Sequence, residues 1–284
     1  MQWRLGTNKG VRDRFTNPFA PLLLSLEAIV ELETLTRSLV TRNFDSYERY
    51  LGDNSDQVDR TRWKFMYEQE GLRSYSKRST SPSFSFGAAL ELQWGIWIDE
   101  RELDDFTYEV MCQTLDQMRV RTSYLKVGLV RGSVLATLVS PTIQDPFTSV
   151  AVKWMEKGQP IHARAIVKNR DYVYLEATGV EYLRNGERVG YQVVHSIQFP
   201  ETPERSSAIR GNMSICAFYR QRNSDETAVY VRAFLNPVSD LENGIIMRSS
   251  ARALLSVSKN VYCCRMKKIN PVGHPTAASI DFGA

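Results

Sequence analysis

Hydrophobic and polar residues alternate most clearly near the middle of the chain. Two segments rich in β-branched and aromatic residues, 172–178 and 188–199, flank the dipeptide Asn185-Gly186. One side of the second segment would carry Tyr191, Val193, His195, Ile197 and Phe199. A period of two residues on both sides of an Asn-Gly turn is typical of a β-hairpin. The pattern therefore predicts an antiparallel sheet here, with an Arg-Asp pair at the start of its first strand.

Further strands are predicted on both sides of this hairpin. They are segments 62–67, 72–76, 90–98, 130–139, 147–155 and 162–167, and a second hairpin made of 210–220 and 228–235. Loops rich in Gly, Pro, Asn, Asp and Ser, such as 52–56 and 79–87, separate several of them. The chain is therefore expected to build most of its core from an antiparallel sheet.

A helical period appears between residues 22 and 50. Its apolar positions are Ala28, Leu32, Leu35 and Leu39, and charged residues occupy the other side of the helix. This spacing predicts an amphipathic helix that packs on the domain. A short self-associating helix is the alternative, although the pattern is too short for a coiled coil of three or more heptads.

Two more helices are expected later in the chain. Segment 99–118 has apolar residues at helical spacing behind a first turn that contains Asp104 and Asp105, and carboxylates favour that end of the helix dipole. Segment 241–268 is longer, and its inward side mixes bulky and small residues. Small residues on that side would leave space beneath the helix, because interiors are otherwise closely packed.

This order of elements predicts an α+β fold in which a curved antiparallel sheet wraps around the long C-terminal helix and encloses a hydrophobic cavity. Residues 1–20 are expected to be a flexible lead-in, 21–50 the N-terminal amphipathic helix, 51–269 the main domain, and 270–284 a disordered tail.

Composition narrows the class of protein. The 284 residues carry a net charge of +4, which is weak for a nucleic-acid binder of this length. The chain shows no apolar signal segment and no run of membrane-spanning length. Cys112, Cys216, Cys263 and Cys264 do not have metal-ligand spacing. We therefore expect an intracellular, cytoplasmic protein that has no metal or other cofactor, and a nuclear location stays open.

Motifs for catalysis are absent from the sequence. It has three histidines and contains no Gly-x-Ser-x-Gly elbow, phosphate loop or Gly-x-Gly-x-x-Gly. The neighbouring carboxylates Asp104 and Asp105 are interpreted as residues that complement a helix dipole. A protein that is not an enzyme is therefore expected.

Several segments together resemble the START domain (StAR-related lipid transfer), a helix-grip family. They are Trp63-Lys64, Glu70-Gly71-Leu72, Arg170-Asp171-Tyr172-Val173-Tyr174, Val194-His195-Ser196-Ile197, Pro200-Glu201-Thr202-Pro203, Arg210-Gly211-Asn212-Met213-Ser214 and the helix at 241–268. The resemblance covers roughly residues 60–268. It implies the helix-grip fold and a lipid or sterol ligand held between the sheet and the C-terminal helix.

A narrower resemblance is to the START-like proteins of oomycetes, including those labelled mating-specific. It is carried by Asp145-Pro146-Phe147, Lys153-Trp154, Asn169-Arg170-Asp171, Leu175-Glu176-Ala177-Thr178-Gly179 and the run from Asn185 to Tyr191. Some relatives add a FYVE zinc finger or a basic leucine zipper, and the sequence predicts neither here.

The resemblance implies that Arg170 points into the cavity, where it would pair with an acid and contact the polar end of a ligand. Glu156 is the candidate acid, and an internal structural ion pair is the alternative role for both residues. The other ligand-binding candidates in the cavity are Trp154, Tyr172, Tyr174, His195, Met213, Leu254 and Ser258. For His195 and the aromatic residues, ordinary packing on a sheet face is the competing interpretation.

The C-terminal helix also suggests contact with a membrane. Segment 241–268 contains six basic residues and one acid. Because each Lys or Arg near an anionic surface is worth about 1 kcal/mol, transient docking through Arg248, Arg252 and Lys259 is a hypothesis. A solvated charged face is the alternative.

Three functions remain open from the sequence. The leading one is a non-enzymatic lipid or sterol binder that transfers or senses its ligand. The second is a regulatory module with a filled pocket that self-associates through residues 22–40. The third is an enzyme acting on a hydrophobic substrate, for which His195 and Glu156 are the plausible acid or base.

Overall fold

A computed structural model of the chain describes part of its length. The described residues are 17–53, 60–61, 63–69, 72–77, 90–94, 97–99, 103–125, 129–158, 168–223 and 226–236. The predicted strand at 162–167, the predicted helix at 241–268 and the predicted tail lie outside these ranges.

Three helices and eleven strands make up the described part of the chain. The helices are α1 (Leu26–Asp53), α2 (Leu103–Val110) and α3 (Leu115–Leu125). The strands are β1 (Trp63–Gln69), β2 (Leu72–Lys77), β3 (Leu90–Trp94), β4 (Trp97–Asp99), β5 (Leu129–Val139), β6 (Ser149–Lys157), β7 (Asn169–Tyr182), β8 (Arg188–Ser196), β9 (Ala208–Arg210), β10 (Asn212–Asn223) and β11 (Glu226–Asn236).

The strands form a single sheet with the order β1-β2-β3-β11-β10-β8-β7-β6-β5. All neighbours on this path are antiparallel. The short strand β4 pairs with β11, and β9 pairs in parallel with β7. Both predicted hairpins are confirmed as β7–β8 and β10–β11.

The Asn185-Gly186 turn explains the first hairpin. Gly186 has a φ of 85°, a conformation that glycine adopts without steric cost. Its backbone N–H donates to the Leu183 carbonyl, and the Leu183 N–H donates to Glu187 across the turn. The Asn185 side chain accepts a further bond from the Glu187 N–H. This turn brings β7 and β8 into register.

Side chains on each strand alternate between two faces of the sheet. On β7, Val173, Leu175 and Ala177 belong to a core cluster that also contains residues of α1, and we call this side the α1 face. The other side, where α2 packs, is the α2 face. Residues paired directly across two strands share a face, so the strand register assigns each remaining side chain.

Helix α1 covers its face of the sheet with Leu32, Val40, Tyr47 and Tyr50. Tyr47 stacks on Phe218 at 4.8 Å between ring centroids, with an interplanar angle of 14°. The apolar side of this amphipathic helix therefore packs on the sheet.

The chain just before α1 is packed as well. Phe19 is buried and meets Trp154 edge-on at 5.5 Å, and Asn17 donates to the Ser133 hydroxyl. The Leu22 N–H donates to the Leu135 carbonyl on β5. The predicted flexible lead-in is thus wrong for residues 17–20. This segment is held by single buried side chains and not by a repeating pattern, so its packing could not be detected in the sequence.

The predicted helix at 99–118 is divided into α2 and α3. Thr114 accepts a bond from the Gln117 N–H at 3.2 Å, and the Gln117 side chain accepts from the Thr114 N–H at 3.3 Å. This reciprocal pair is a capping box, which starts a new helix at that point. Likewise, the predicted strand at 90–98 divides into β3 and β4, both of which pair with β11.

Helix α2 lies close to the sheet. Its residues Leu103, Phe106 and Val110 form a buried cluster with Ala217, Tyr219, Val229, Val231 and Ala233. A Cβ atom at Gly190 would lie 2.5 Å from the Thr107 hydroxyl, so glycine permits this close approach. The helix therefore occupies the β8–β10–β11 part of its face.

Candidate functional site

A buried apolar and aromatic cluster lies on the α2 face beside that helix. We call it the tyrosine patch, and its members are Tyr172, Tyr174, Val194, Met213, Met155 and Ile215. They come from β6, β7, β8 and β10. No residue of the three described helices belongs to this cluster. An aromatic-lined apolar surface with nearby polar groups is suited to a hydrophobic ligand.

A group of buried charges borders the patch. Lys153 Nζ lies 2.8 Å from Glu176 Oε1 and also donates to the Cys112 carbonyl between α2 and α3. Lys153 pairs in register with Tyr174, and Glu176 pairs with Val194. The Lys153–Glu176 ion pair therefore stands directly next to two members of the patch. We call Lys153, Glu176, Arg121 and Glu109 the buried charge cluster.

Arg121 and Glu109 extend this cluster on the helix side. Arg121 donates to the Val110 carbonyl at 3.0 Å, and Glu109 is fully buried. Burial alone lowers the pKa of Arg121, but nearby Cys112, Glu176, Glu109 and Tyr219 outweigh burial and raise it. Its guanidinium therefore stays charged. Buried charges of this kind persist when they are paired and hydrogen-bonded.

The tyrosine hydroxyls nearby remain protonated. Burial, followed by the negative charge of Glu176, raises the pKa of Tyr174 well above its usual value. Burial also raises the pKa of Tyr172, against the opposing effect of Arg170. Both phenols can consequently donate a hydrogen bond to a ligand at any physiological pH.

The expected pair between Arg170 and Glu156 is wrong. Glu156 pairs in register with Asp171, and Arg170 pairs with Lys157. Because neighbouring residues on a strand point to opposite sides, Glu156 lies on the α1 face and Arg170 on the α2 face. Glu156 instead binds Arg205 Nη1 at 3.0 Å and Asn169 Nδ2 at 2.7 Å, with Arg131 at 3.8 Å. The sequence positions of Glu156 and Arg170 do not reveal how β6 and β7 are paired.

Asp171 forms the buried ion pair of this region. Its carboxylate accepts two bonds from Arg210, at 3.0 and 3.1 Å, and a third from Trp154 Nε1 at 3.1 Å. Arg210 also donates to the carbonyls of Thr202 and Pro203. This network attaches the loop between β8 and β9 to the sheet.

The candidates from the sequence are divided between the two faces. Arg170, Tyr172, Tyr174 and Met213 lie on the α2 face, and the last three belong to the tyrosine patch. Glu156, Trp154 and His195 lie on the α1 face. Leu254 and Ser258, and the membrane-contact candidates Arg248, Arg252 and Lys259, lie outside the described residues.

Sequence reasoning missed the buried charge cluster. A usable signal was present, because Lys153 interrupts the apolar run Val150 to Met155 and Glu176 interrupts the run Val173 to Ala177. A charged residue inside an otherwise buried strand needs a partner. The partner itself depends on the register of β6 and β7.

Two further searches concern the described residues alone. Within the described ranges, no group of three or more His, Cys, Asp or Glu side chains is placed to hold a metal ion. None of the helices in that part of the chain is both long and apolar enough to cross a membrane.

Comparison with known proteins identifies the fold. Neither a protein-family model nor a curated protein matches this chain. Among solved structures, human STARD10 matches with a TM-score of 0.55 and 11% identity, covering 90% of this chain and 87% of that one. Human StAR-related lipid transfer protein 5 matches with a TM-score of 0.55 and 14% identity, covering 82% and 97%.

The chain therefore has the START fold, an α+β arrangement built on an antiparallel sheet. This confirms the fold predicted from the sequence. The narrower resemblance to the oomycete START-like proteins stays a prediction.

Replacing Asp171 by Asn tests the ion pair that attaches the β8–β9 loop. Asn keeps the shape but leaves the buried Arg210 charge uncompensated, so we expect a loss of about 3–5 kcal/mol in the free energy of unfolding. Urea denaturation measures it. Glu68→Gln is the control, because its partner Arg73 is 57% exposed and Glu68 46% exposed, and it should cost at most about 1 kcal/mol. Equal costs for the two variants would contradict the assigned role.

The partly buried position of His195 predicts that the free energy of unfolding depends on pH. Burial lowers the pKa of its imidazole, whose Nδ1 lies 3.0 Å from the Ser214 hydroxyl. The unfolded chain, with a His pKa of about 6.5, then binds more protons than the folded one. The contribution of neutral His195 to the free energy of unfolding is therefore fully present above about pH 6.5. It decreases as the pH falls through that value toward the lower pKa of the folded state. Urea titrations of His195→Gln should show a smaller decrease than wild type, whereas identical pH profiles would contradict this.

Proposed function

We propose that this chain binds a lipid or sterol on the α2 face of its sheet and does not act as an enzyme. The observation that carries the proposal is the tyrosine patch, a buried apolar surface to which no described helix contributes and which borders a buried charge cluster. The fold supports it, since the matched human protein is named a StAR-related lipid transfer protein.

The arrangement suits an amphipathic molecule. The apolar body of the ligand would lie against Tyr172, Val194 and Met213, where burial of apolar area supplies about 25 cal/mol per Å². A hydroxyl or carbonyl of the ligand could bind at Lys153 or Glu176, which together offer a donor and an acceptor without net charge. The partners of the protein would determine whether it transfers the bound ligand between membranes or senses it.

The absence of catalysis is part of the proposal. Glu156 and His195, which the sequence offers as acid or base, lie on the α1 face, away from the tyrosine patch. Glu156 is engaged by Arg205, Arg131 and Asn169. A location in the cytoplasm, and transient contact with anionic membranes, complete the proposed role.

Native mass spectrometry of gently purified protein tests the proposal, and a pair of matched variants locates the site. Ile215 packs against the tyrosine patch and also against the neighbouring α2 cluster, whereas Ile197 packs on the α1 face, and both are partly buried. We expect Ile215→Trp to fill the α2 face and remove most co-purified lipid. Ile197→Trp should retain it at a comparable melting temperature. Wild-type protein that is repeatedly empty and binds no lipid from vesicles would overturn the proposal.

A second candidate function is self-association through residues 22–40. Three apolar side chains near the start of α1 are exposed to solvent, namely Leu23 at 98%, Leu26 at 79% and Val30 at 53%. Exposed apolar groups on one stretch of a helix favour a protein partner, and a second copy of the chain would bury them. This role is compatible with a filled α2 face and needs no ligand.

Leu26→Asp tests this candidate by light scattering coupled to gel filtration. If α1 mediates self-association, wild type should show a mass that rises toward a dimer with concentration, and the aspartate should abolish this rise. Arg42→Asp is the control, because Arg42 is an exposed residue farther along the same helix. A wild-type protein that stays monomeric at high micromolar concentration would exclude the candidate.

A further inference from the structure

We propose that Lys157 is a nucleophile that captures the aldehyde group of a lipid bound on the α2 face and forms an imine with it. The inference rests on the proposed function, because the apolar chain of the aldehyde would lie on the tyrosine patch. It goes beyond that function by giving the site a covalent reaction and a class of ligand, the long-chain aldehydes.

The register of the sheet places Lys157 beside the tyrosine patch. Lys157 is the last residue of β6 and lies two residues beyond Met155, a member of the patch. The pairing of β6 with β7 has no bulge from Ser149 to Lys157, so Met155 and Lys157 lie on the same face, roughly 7 Å apart along the strand. A ligand chain that lies over Met155 would therefore bring its end group to the Lys157 amine.

The Lys157 amine is not engaged within the described part of the chain. It makes no hydrogen bond and no ion pair with any described residue. Its partners in register are Leu129 on β5 and Arg170 on β7, and neither side chain can accept a bond from it. The acids Glu156 and Asp171 of these strands point to the α1 face and bind arginines there. The lysine nitrogen is therefore available to a ligand.

The surroundings of Lys157 favour a neutral amine. An ammonium group is costly in apolar surroundings, so a buried lysine releases its proton more readily. Burial accordingly lowers the pKa of Lys157. A lysine in water, with a pKa of about 10.4, is almost entirely protonated at pH 7. Because only the neutral amine has the lone pair that attacks a carbonyl, burial increases the reactive fraction of Lys157.

Lys153 provides a contrast on the same strand and the same face. Its Nζ lies 2.8 Å from Glu176 Oε1 and also donates to the Cys112 carbonyl. These contacts fix the nitrogen, and an ammonium that donates to a carboxylate has no lone pair for attack. Of these two lysines, Lys157 is therefore the one that is placed to react.

The reaction is a condensation that needs no oxidant or reductant. The Lys157 nitrogen adds to the carbonyl carbon, and the π electrons of the carbonyl go to its oxygen, which takes one proton from the nitrogen. The resulting carbinolamine loses its hydroxyl group and the remaining N–H proton as water, and a C=N bond forms. One amine and one aldehyde thus give one imine and one water. Because Lys157 is only partly buried, this water can leave to solvent.

The tyrosine patch determines which aldehydes react. Each additional CH₂ group that is buried against the patch strengthens binding of the ligand. A carbonyl that is held next to the amine then reacts at an effective concentration far above its concentration in solution. Short, water-soluble aldehydes have neither advantage. The site should therefore prefer long-chain aldehydes.

Reductive trapping on the full chain tests the inference. The protein is incubated with hexadecanal and sodium cyanoborohydride at pH 7, and peptide mass mapping locates the stable secondary amine. We expect Lys157 to be modified at least about tenfold faster than Lys64, an exposed lysine of β1. Propanal at the same concentration should modify Lys157 at least about tenfold more slowly than hexadecanal does.

Matched variants identify the residue that carries the adduct. Lys157→Arg should remove the main adduct, because a guanidinium is not a nucleophile at this pH, and Lys64→Arg should retain it. If the arginine variant does not fold, Lys157→Met replaces it in the same comparison. Ile215→Trp, which fills the α2 face, should slow trapping at Lys157, whereas Ile197→Trp should not. Equal trapping in the two tryptophan variants would overturn the location beside the patch.

The outcomes separate this inference from the proposed function. Hexadecanol has the same chain as hexadecanal but no carbonyl, and native mass spectrometry measures its binding. If hexadecanol binds but hexadecanal modifies Lys157 no faster than Lys64, the covalent site is overturned and lipid binding stands. If wild type binds neither hexadecanol nor any lipid from vesicles, the proposed function is overturned as well.

Discussion

The buried ion pair between Asp171 and Arg210 is the interaction on which this region of the protein depends. It joins the start of β7 to β9, and the Trp154 indole adds a third bond to the same carboxylate. Because strand side chains alternate, an Asp171 side chain held on the α1 face directs Arg170 and Tyr172 to the α2 face. The ion pair on the α1 face is therefore consistent with Arg170 and Tyr172 lying on the opposite face of the sheet.

The two faces of the sheet use charge differently. On the α1 face, Asp171 and Glu156 are each bound by at least one arginine, and α1 packs over the neighbouring apolar residues. On the α2 face, Lys153 and Glu176 neutralise each other. Removing one member of such a buried pair would leave the other charge uncompensated and would strongly destabilise the fold.

Much of the fold could be predicted from local pattern. The alternation around Asn185-Gly186 identified the hairpin, and the spacing in 22–50 identified α1. The predictions from the sequence were wrong where a single contact outweighed the hydrophobic pattern. Thr114 and Gln117 divide a predicted helix through a capping box, and Phe19 is drawn into the core next to Trp154. The described site candidates fall on both faces of the sheet, because a period of two residues cannot tell which face is which.

The α+β class, the START fold and the presence of charged residues inside apolar strands could all be predicted from the sequence. Those properties follow from periodicity, turn chemistry and the order of motifs, which are local in the chain. The sequence could not predict that Glu156 binds Arg205, that Lys153 binds Glu176 or that Lys157 lies opposite Arg170. Shifting the register of β6 against β7 by one residue would exchange the two faces, and this register depends on contacts between segments that are distant in the chain.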